Sequence, residues 1–365
     1  MMGAVSCQKD DEMVTPLETR DTVTPPVVDT DYVEGVFNPS HHVATCTELG
    51  GYYEYTWSDN QPLQLLEVND PVLGSHMAYT YKSSGRVASA MGRYDGHEQM
   101  YAFTYNDGIL EHITHREDNL IQYVASVSYT DNHVSHIVYE DVTADMMVKL
   151  ANELSDYDFG TANVTMDDPH FTVSYKWDED NVVKTVVEGI VTGDITLSQM
   201  FSLFGSSILG GLSIPDNIIE VLPLLIQLMG DETYTYDVTF ARTSEYTYDA
   251  FPNPYRGFYG DGLLLHTEFM SANNILTEVT RGAAELGIDY TIHLPENPPS
   301  WAPESLQNEM LWSLIRVLIS DRPFHFARTL DLSDTEDNTY EYNGYGFPVR
   351  CTCQDGSRIT YSYQD

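Results

Sequence analysis

The chain has 365 residues, 42% hydrophobic and 12% aromatic, enough to build a sizeable core in one large or two medium domains. Lys and Arg number 17 against 56 Asp and Glu, a formal charge of −39, which excludes nucleic acid and anionic lipid as favoured partners. No loop carries the dense acidic spacing of an EF-hand, so the acidity reads first as a solvated coat.

The chain opens MMGAVSCQKDDE, where the small residues Ala4, Val5 and Ser6 lead into Cys7 and then into a polar, acidic run. This is similar to a bacterial lipoprotein box, in which the chain is cut before the cysteine and a diacylglyceryl group joins its sulfur. The Lys9-Asp10-Asp11-Glu12 run resembles the surface-export signal of Bacteroidetes lipoproteins. The resemblance implies Cys7 as a lipid anchor, in an outer-membrane lipoprotein on the periplasmic or the cell-surface side. Acyl chains bury roughly 0.8 kcal/mol per CH₂, so they hold a soluble domain without a spanning helix. Six residues precede Cys7, too few for the apolar core of a signal peptide, so the expectation leans on the acidic run and the segment behind it. Residues 1–31 then read as anchor remnant and acidic tether, with Pro16, Pro25 and Pro26 and little apolar periodicity. A single β-rich domain is expected over 32–365.

Its body repeats a unit: an aromatic-x-Tyr strand, a turn rich in Asp, Asn and Gly, and an alternating apolar strand. Copies run over 79–89, 101–113, 125–137, 173–187 and 340–353, with turns at Asn106-Asp107-Gly108 and Thr130-Asp131-Asn132. Such turns supply the positive φ that tight hairpins need. Tyrosine, at 26 residues the unusual feature of the composition, suits the half-buried pleat of a strand. The expected fold is therefore mainly β: an antiparallel meander of Tyr-rich hairpins forming a curved sheet, with a few inserted helices.

Helices are expected near 143–155, 195–230 and 303–320. The first opens on a Thr cap and spaces Met146, Met147, Leu150 and Leu154 helically; the last places Leu306, Met310, Leu314 and Leu318 along one face. No charge occurs from Ile195 to Pro215. A spanning element would fit that apolarity, but Gly205, Gly210, Gly211 and Pro215 favour two short buried helices. An apolar groove for a lipid or partner stays open as a third reading.

Three stretches resemble a known family. YDAFPNPYRGFYG at 248–260, SANNILTEV at 271–279 and TYEYNGYGFPVRCTC at 339–353 are similar, in this order, to motifs of a Bacteroidetes lipoprotein family catalogued as domain of unknown function 4595. Phe251 departs from the lysine common at its place. The resemblance spans roughly 50–365 and implies an exported, anchored, Tyr-rich fold of YD-like hairpin repeats. It brings no catalytic residue and no cofactor.

Trp57, Tyr255, Phe258 and Tyr259 are the candidate binding residues, since aromatic faces near turns stack on sugars or clamp peptides; packing on their own sheet is the alternative. His112 and His136 each follow a repeat Tyr by seven residues and form weak metal candidates if their strands lie in register. No zinc spacing, serine elbow, Walker loop or dinucleotide fingerprint appears, so no metal, cofactor or catalytic residue is assigned. Cys46 is close enough to pair with Cys351 or Cys353 only if the domain ends meet. The expected function is a non-enzymatic binding or scaffold module for a glycan, peptide or partner protein, touching membrane by its anchor only. A glycoside hydrolase using two carboxylates, or a lipid carrier using 195–230, is the alternative.

Overall fold

The computed structural model describes residues 42–48, 51–59, 64–154, 165–196, 198–200, 232–256, 267–298, 300 and 307–364. Cys7, the tether, and most of the expected helical segment at 195–230 lie outside the described residues, as do Phe258 and Tyr259.

The strands follow the hairpin repeats. They are β1 (Val43–Glu48), β2 (Gly51–Trp57), β3 (Leu65–Asp70), β4 (Ser75–Tyr81), β5 (Val87–Tyr94) and β6 (His97–Asn106). Next come β7 (Ile109–Glu117), β8 (Leu120–Thr130), β9 (His133–Glu140), β10 (Thr165–Asp178), β11 (Asn181–Thr196) and β12 (Thr233–Pro252). The last are β13 (Asn273–Thr291), β14 (Pro323–Asp331), β15 (Asp334–Tyr342), β16 (Pro348–Cys353) and β17 (Arg358–Tyr363). The turns are those the sequence marks: Asp107 (φ 50°) with Gly108 (φ 83°), and Asp131 (φ 52°) with Asn132 (φ 66°).

Each strand pairs antiparallel with the next in sequence, except that β14 and β15 both pair with β13, and β17 pairs with β1. β14 and β15 keep one register against β13, with Ala283 opposite Asp331 and Thr280 opposite Asp334. The Leu332 amide donates to the Gly282 carbonyl between them at 3.0 Å, so the two segments act as one stave. The expected curved sheet is thus closed into an antiparallel barrel of sixteen strands. Closure removes the free edges that an open meander would expose.

Up-and-down order sorts the connections between two ends. The first and last described residues meet at one, the termini end of the barrel, where the Gln364 amide donates to the His42 carbonyl at 2.9 Å. The long connections 141–164, 197–232 and 292–322 all leave from the far end. Two of them carry the described helices, α1 (Ala144–Leu154) and α2 (Glu309–Ile319). α1 starts on its expected cap, the Thr143 hydroxyl accepting from the Met146 amide at 3.3 Å, and buries Met147 and Leu150. α2 begins later than expected, capped by Asn308, and its faces are reversed. Trp312 and Ile315 are buried, whereas Met310 is 83% and Leu314 49% exposed. A helix apolar on both sides gives the sequence pattern no way to choose which stripe faces the core.

Alternation along each strand sends apolar side chains inward. On β6 to β8 the inner positions hold Tyr101, Phe103, Ile113, Tyr123 and Ala125, while Thr104, Thr114, Ser126 and Ser128 face outward. That is the reverse of barrels that span membranes, which are apolar outside. No helix among the described residues is long and apolar enough to cross a membrane. Each fully buried large side chain in this wall contributes roughly 1.5–3 kcal/mol.

A row of rings crosses the interior. Tyr101 stacks on His115 (centroids 4.3 Å), His115 meets Tyr123 (5.0 Å), Tyr123 meets Tyr139 edge-on (5.3 Å), and Tyr139 stacks on Phe171 (4.3 Å). Small residues make room between rings. A Cβ on Gly189 would stand 2.6 Å from the Phe240 ring and 2.8 Å from Phe171 Cβ, so this position on β11 admits only glycine.

The termini end is plugged by residues 253–256 and 267–272, which lie in or beside two of the family-like stretches. Asp249 accepts from the amides of Phe251 (2.9 Å) and Asn274 (3.2 Å), from Asn274 Nδ2 (3.0 Å) and from the Tyr342 hydroxyl. Asn253 Oδ1 accepts from the Tyr255 amide at 2.9 Å, and its Nδ2 donates to the Ser271 carbonyl at 3.1 Å. Asn181 and Asn273 exchange bonds of 2.9 and 3.0 Å, and Arg256 lies 3.5 Å from Asp180. These motif residues therefore brace the barrel end.

Candidate functional site

Among the described residues, polar side chains on the inner face gather in two places, the larger of them a patch on β11, β12, β13 and β15. Inward parity places Thr185 on β11, Arg242, Ser244 and Tyr246 on β12, Glu278 and Thr280 on β13, and Asp334 and Glu336 on β15. Thr185, Ser244, Tyr246 and Thr280 are buried. Solvent reaches Glu336 and Asp334, where the neighbouring wall is low: β16 and β17 have six residues each against twenty in β12.

Hydroxyls link the patch. Tyr246 OH lies 3.1 Å from Thr185 Oγ1 and donates to Glu278 Oε1 at 3.3 Å. Ser244 Oγ lies 2.7 Å from Thr280 Oγ1, which in turn donates to Glu278 Oε1 at 3.2 Å. Arg242 Nη2 reaches Thr280 Oγ1 at 3.5 Å, and its Nε is buried without a partner among the described residues. Gly282 stands opposite Arg242 and makes this possible, since a Cβ there would lie 2.8 Å from Arg242 Cα.

Glu278 and Glu336 are direct cross-strand neighbours, which sets their Cβ atoms about 5 Å apart. Their environments differ. Glu278 is held by two hydroxyl donors. Desolvation, then the charges of Glu278 and Asp334, push the Glu336 carboxyl above the usual range, opposed by Arg242. A carboxyl raised in the fold favours the folded state when protonated, and that advantage is lost as pH rises through its folded value. Glu336→Gln is accordingly expected to raise the melting temperature at neutral pH and to leave it unchanged below pH ~4, near the unperturbed Glu value. Melting curves at the two pH values check this, and an unchanged neutral curve counts against the strained-carboxylate account.

A second polar network, toward the far end, surrounds His115. His115 Nε2 lies 2.7 Å from Gln99 Oε1, Gln99 Nε2 donates to Glu117 Oε2 at 2.9 Å, and Lys149 of α1 reaches the same oxygen at 3.0 Å. Because the Gln99 amide spends its N–H on Glu117, its oxygen must accept, and His115 Nε2 carries the proton. His115 Nδ1 is then a lone pair, buried without a partner. Burial lowers this imidazole from its ordinary value of 6.5 to about 4.

The residues singled out from sequence fall elsewhere. Trp57 is buried, stacked on His42 at 4.2 Å with its Nε1 donating to the Val43 carbonyl at 2.8 Å, so it offers no exposed face. Tyr255 is partly buried among Tyr55, Tyr361 and Phe269, at 5.9 to 6.5 Å, as part of the plug. Both pack on their own structure. His112 and His136 face outward beside Ser126 and Ser135, each at 3.2 Å, on strands separated by β8 and offset in register. The structure does not bring them together. No group of three or more His, Cys, Asp or Glu among the described residues converges on a metal-sized site. The domain ends do meet, but β17 lies between Cys46 and Cys351, and Cys46, Cys351 and Cys353 form no disulfide. Arg242, Tyr246, Glu278 and Glu336 were not singled out. The available signal was inward parity, which puts Glu278 on the face of Ile288 and Tyr290.

No protein-family model matches the chain, and no curated protein matches it.

Proposed function

We propose that the protein is a non-enzymatic binding module for a neutral glycan, held at the outer membrane through Cys7 and the tether behind it. The polar patch inside the barrel carries this reading. It offers carboxylate acceptors and a guanidinium donor, set by a line of buried hydroxyls behind them and flanked by apolar side chains, the combination that orients a polyol. The lipoprotein-like start and the Bacteroidetes family resemblance support the address. Screening the full chain against an array of neutral oligosaccharides should give binding that Glu278→Gln weakens at least about tenfold, the scale of a lost charge-assisted bond. Absence of binding, or binding indifferent to Glu278→Gln and Arg242→Ala, overturns the assignment.

A second reading is glycoside hydrolysis at the same patch. It is favoured by the unequal settings of Glu278 and Glu336 on neighbouring strands, which suit a held carboxylate and a raised carboxyl as the acid pair. Release of new reducing ends from a bound oligosaccharide, abolished in Glu336→Gln while binding persists, would select hydrolysis over binding alone.

A further inference from the structure

We infer that the outer edge of β14 docks an extended, basic segment of a partner protein as an added strand. β14 and β15 form one stave on β13, but β16 follows that stave only from Tyr342 to Asn338. Beyond this point β14 pairs, among the described residues, with β13 alone. The register fixes where its backbone groups point. The Leu332 amide bonds the Gly282 carbonyl, and groups along a strand alternate sides. Phe324, Phe326, Arg328 and Leu330 therefore turn theirs to β13, while His325, Ala327, Thr329 and Asp331 turn theirs to the open edge. All four of the latter are exposed. The other flank of the same wall is protected, since β10 carries Pro169 and a register break between Asp167 and His170, and α1 packs against it. β14 has a proline only at its first residue and no break in its pairing.

The occupant follows from spacing and charge. Donors and acceptors repeat along the edge every two residues, about 6.8 Å, a ladder that another extended backbone matches and a glycan or lipid does not. On the inner side stand Phe324, stacked on Tyr290 at 5.2 Å, and the buried Phe326, so apolar side chains suit that face of the added strand. On the outer side the neighbours are acidic: Asp289 opposite His325, Glu285 opposite Thr329, and Asp331 on the edge itself. Two strand spacings, about 10 Å, separate Asp289 and Glu285 from an added strand, near one Debye length. His325 is held by Asp289 at 2.8 Å, Arg281 lies 3.9 Å from Glu245, and Arg322 lies past the end of the ladder. Lysine or arginine alternating with apolar residues therefore fits both faces. A second copy paired edge to edge would bring these same acids together, and the tether over 8–31 carries more acids than bases, so both are disfavoured.

The test titrates the full chain with a heptapeptide alternating lysine and valine, read by fluorescence anisotropy and by hydrogen exchange over 323–331. Binding is expected, weakened at least about tenfold when Ala327→Pro and Thr329→Pro are combined. Each proline removes an edge N–H and no bond to β13, so the melting temperature should match the parent. Glu285→Lys with Asp289→Lys, which leaves the edge intact, should reverse the preference toward a glutamate–valine heptapeptide. The Ala327 and Thr329 amides should exchange fast in the free chain and slow when peptide binds. No binding at millimolar peptide, or binding undiminished by the two prolines, which would mean charge attraction alone, overturns the inference. So do slow Ala327 and Thr329 amides in the free chain, which would mean that the chain covers its own edge. A dimer in sedimentation velocity that the prolines dissolve would assign the edge to a second copy instead.

Discussion

Lowering the pH from neutrality to about 4 is expected to cost the folded barrel about 3 kcal/mol through His115 alone. The unfolded chain binds a proton at this imidazole near its ordinary value of 6.5, while the fold keeps it neutral down to about 4. Between those values the unfolded state holds more protons, so stability falls as pH falls, and it levels off once both states are protonated. The cause is burial: the ring lies between Tyr101 and Tyr123, and its lone-pair nitrogen faces no donor. His115→Phe keeps the stacking and removes the titration. It also orphans the Gln99 oxygen, a constant cost of about 1 kcal/mol. Urea unfolding of parent and variant across this range should show a difference that changes by about 3 kcal/mol. A difference that stays flat with pH would mean that the folded protein protonates His115 freely.

Asp249→Ala should destabilise by about 3 kcal/mol, because one side chain serves four donors and its loss leaves several of them buried. Asn274 keeps only the longer contacts of its Nδ2 to the Phe251 and Pro252 carbonyls, at 3.3 and 3.5 Å. The Tyr342 hydroxyl loses its acceptor. Tyr342→Phe removes one donor with its acceptor still served by others and should cost about 1 kcal/mol. Chemical denaturation of the two variants checks the order. Proteolysis near 253–272 should accelerate in Asp249→Ala before global unfolding, since the plug is what the carboxylate ties. Equal stability of Asp249→Ala and the parent would show that burying the carboxylate costs as much as its bonds return.

The local fold was legible in the sequence where chemistry is local. Asp107-Gly108 and Asp131-Asn132 need positive φ and set their hairpins, and Thr143 caps α1 as its side chain predicts. Barrel closure was not legible. Pairing of Val43–Glu48 with Arg358–Tyr363 joins segments more than three hundred residues apart, and neither strand carries a mark naming its partner. The plug motif was visible only as a resemblance, since its meaning depends on Asn181 and Tyr342 arriving from distant strands. The inner patch was hidden for a different reason: with 56 acids in the chain, Glu278 and Glu336 gain significance only when register sets them side by side inside. The exposed-aromatic expectation failed at Trp57 because an indole beside a turn also finds a carbonyl and a ring in its own sheet.

The β1–β17 seam also governs how the molecule is made. Thr45 and Ser362 meet at 2.6 Å across 317 positions, so the seam cannot form until the last residues of the chain are available. A nascent chain therefore carries a growing open meander with two unsatisfied edges. Its contacts are mostly between neighbouring hairpins and form early, but the final closure must overcome a very long loop. A chain cut short by one strand would keep nearly all its hairpins and still lack a wall, leaving β1 and β16 as templates for foreign strands. Conversely, since the two ends already touch at His42 and Gln364, joining them and opening the chain at the Asp107-Gly108 turn should yield a permuted protein with the same barrel.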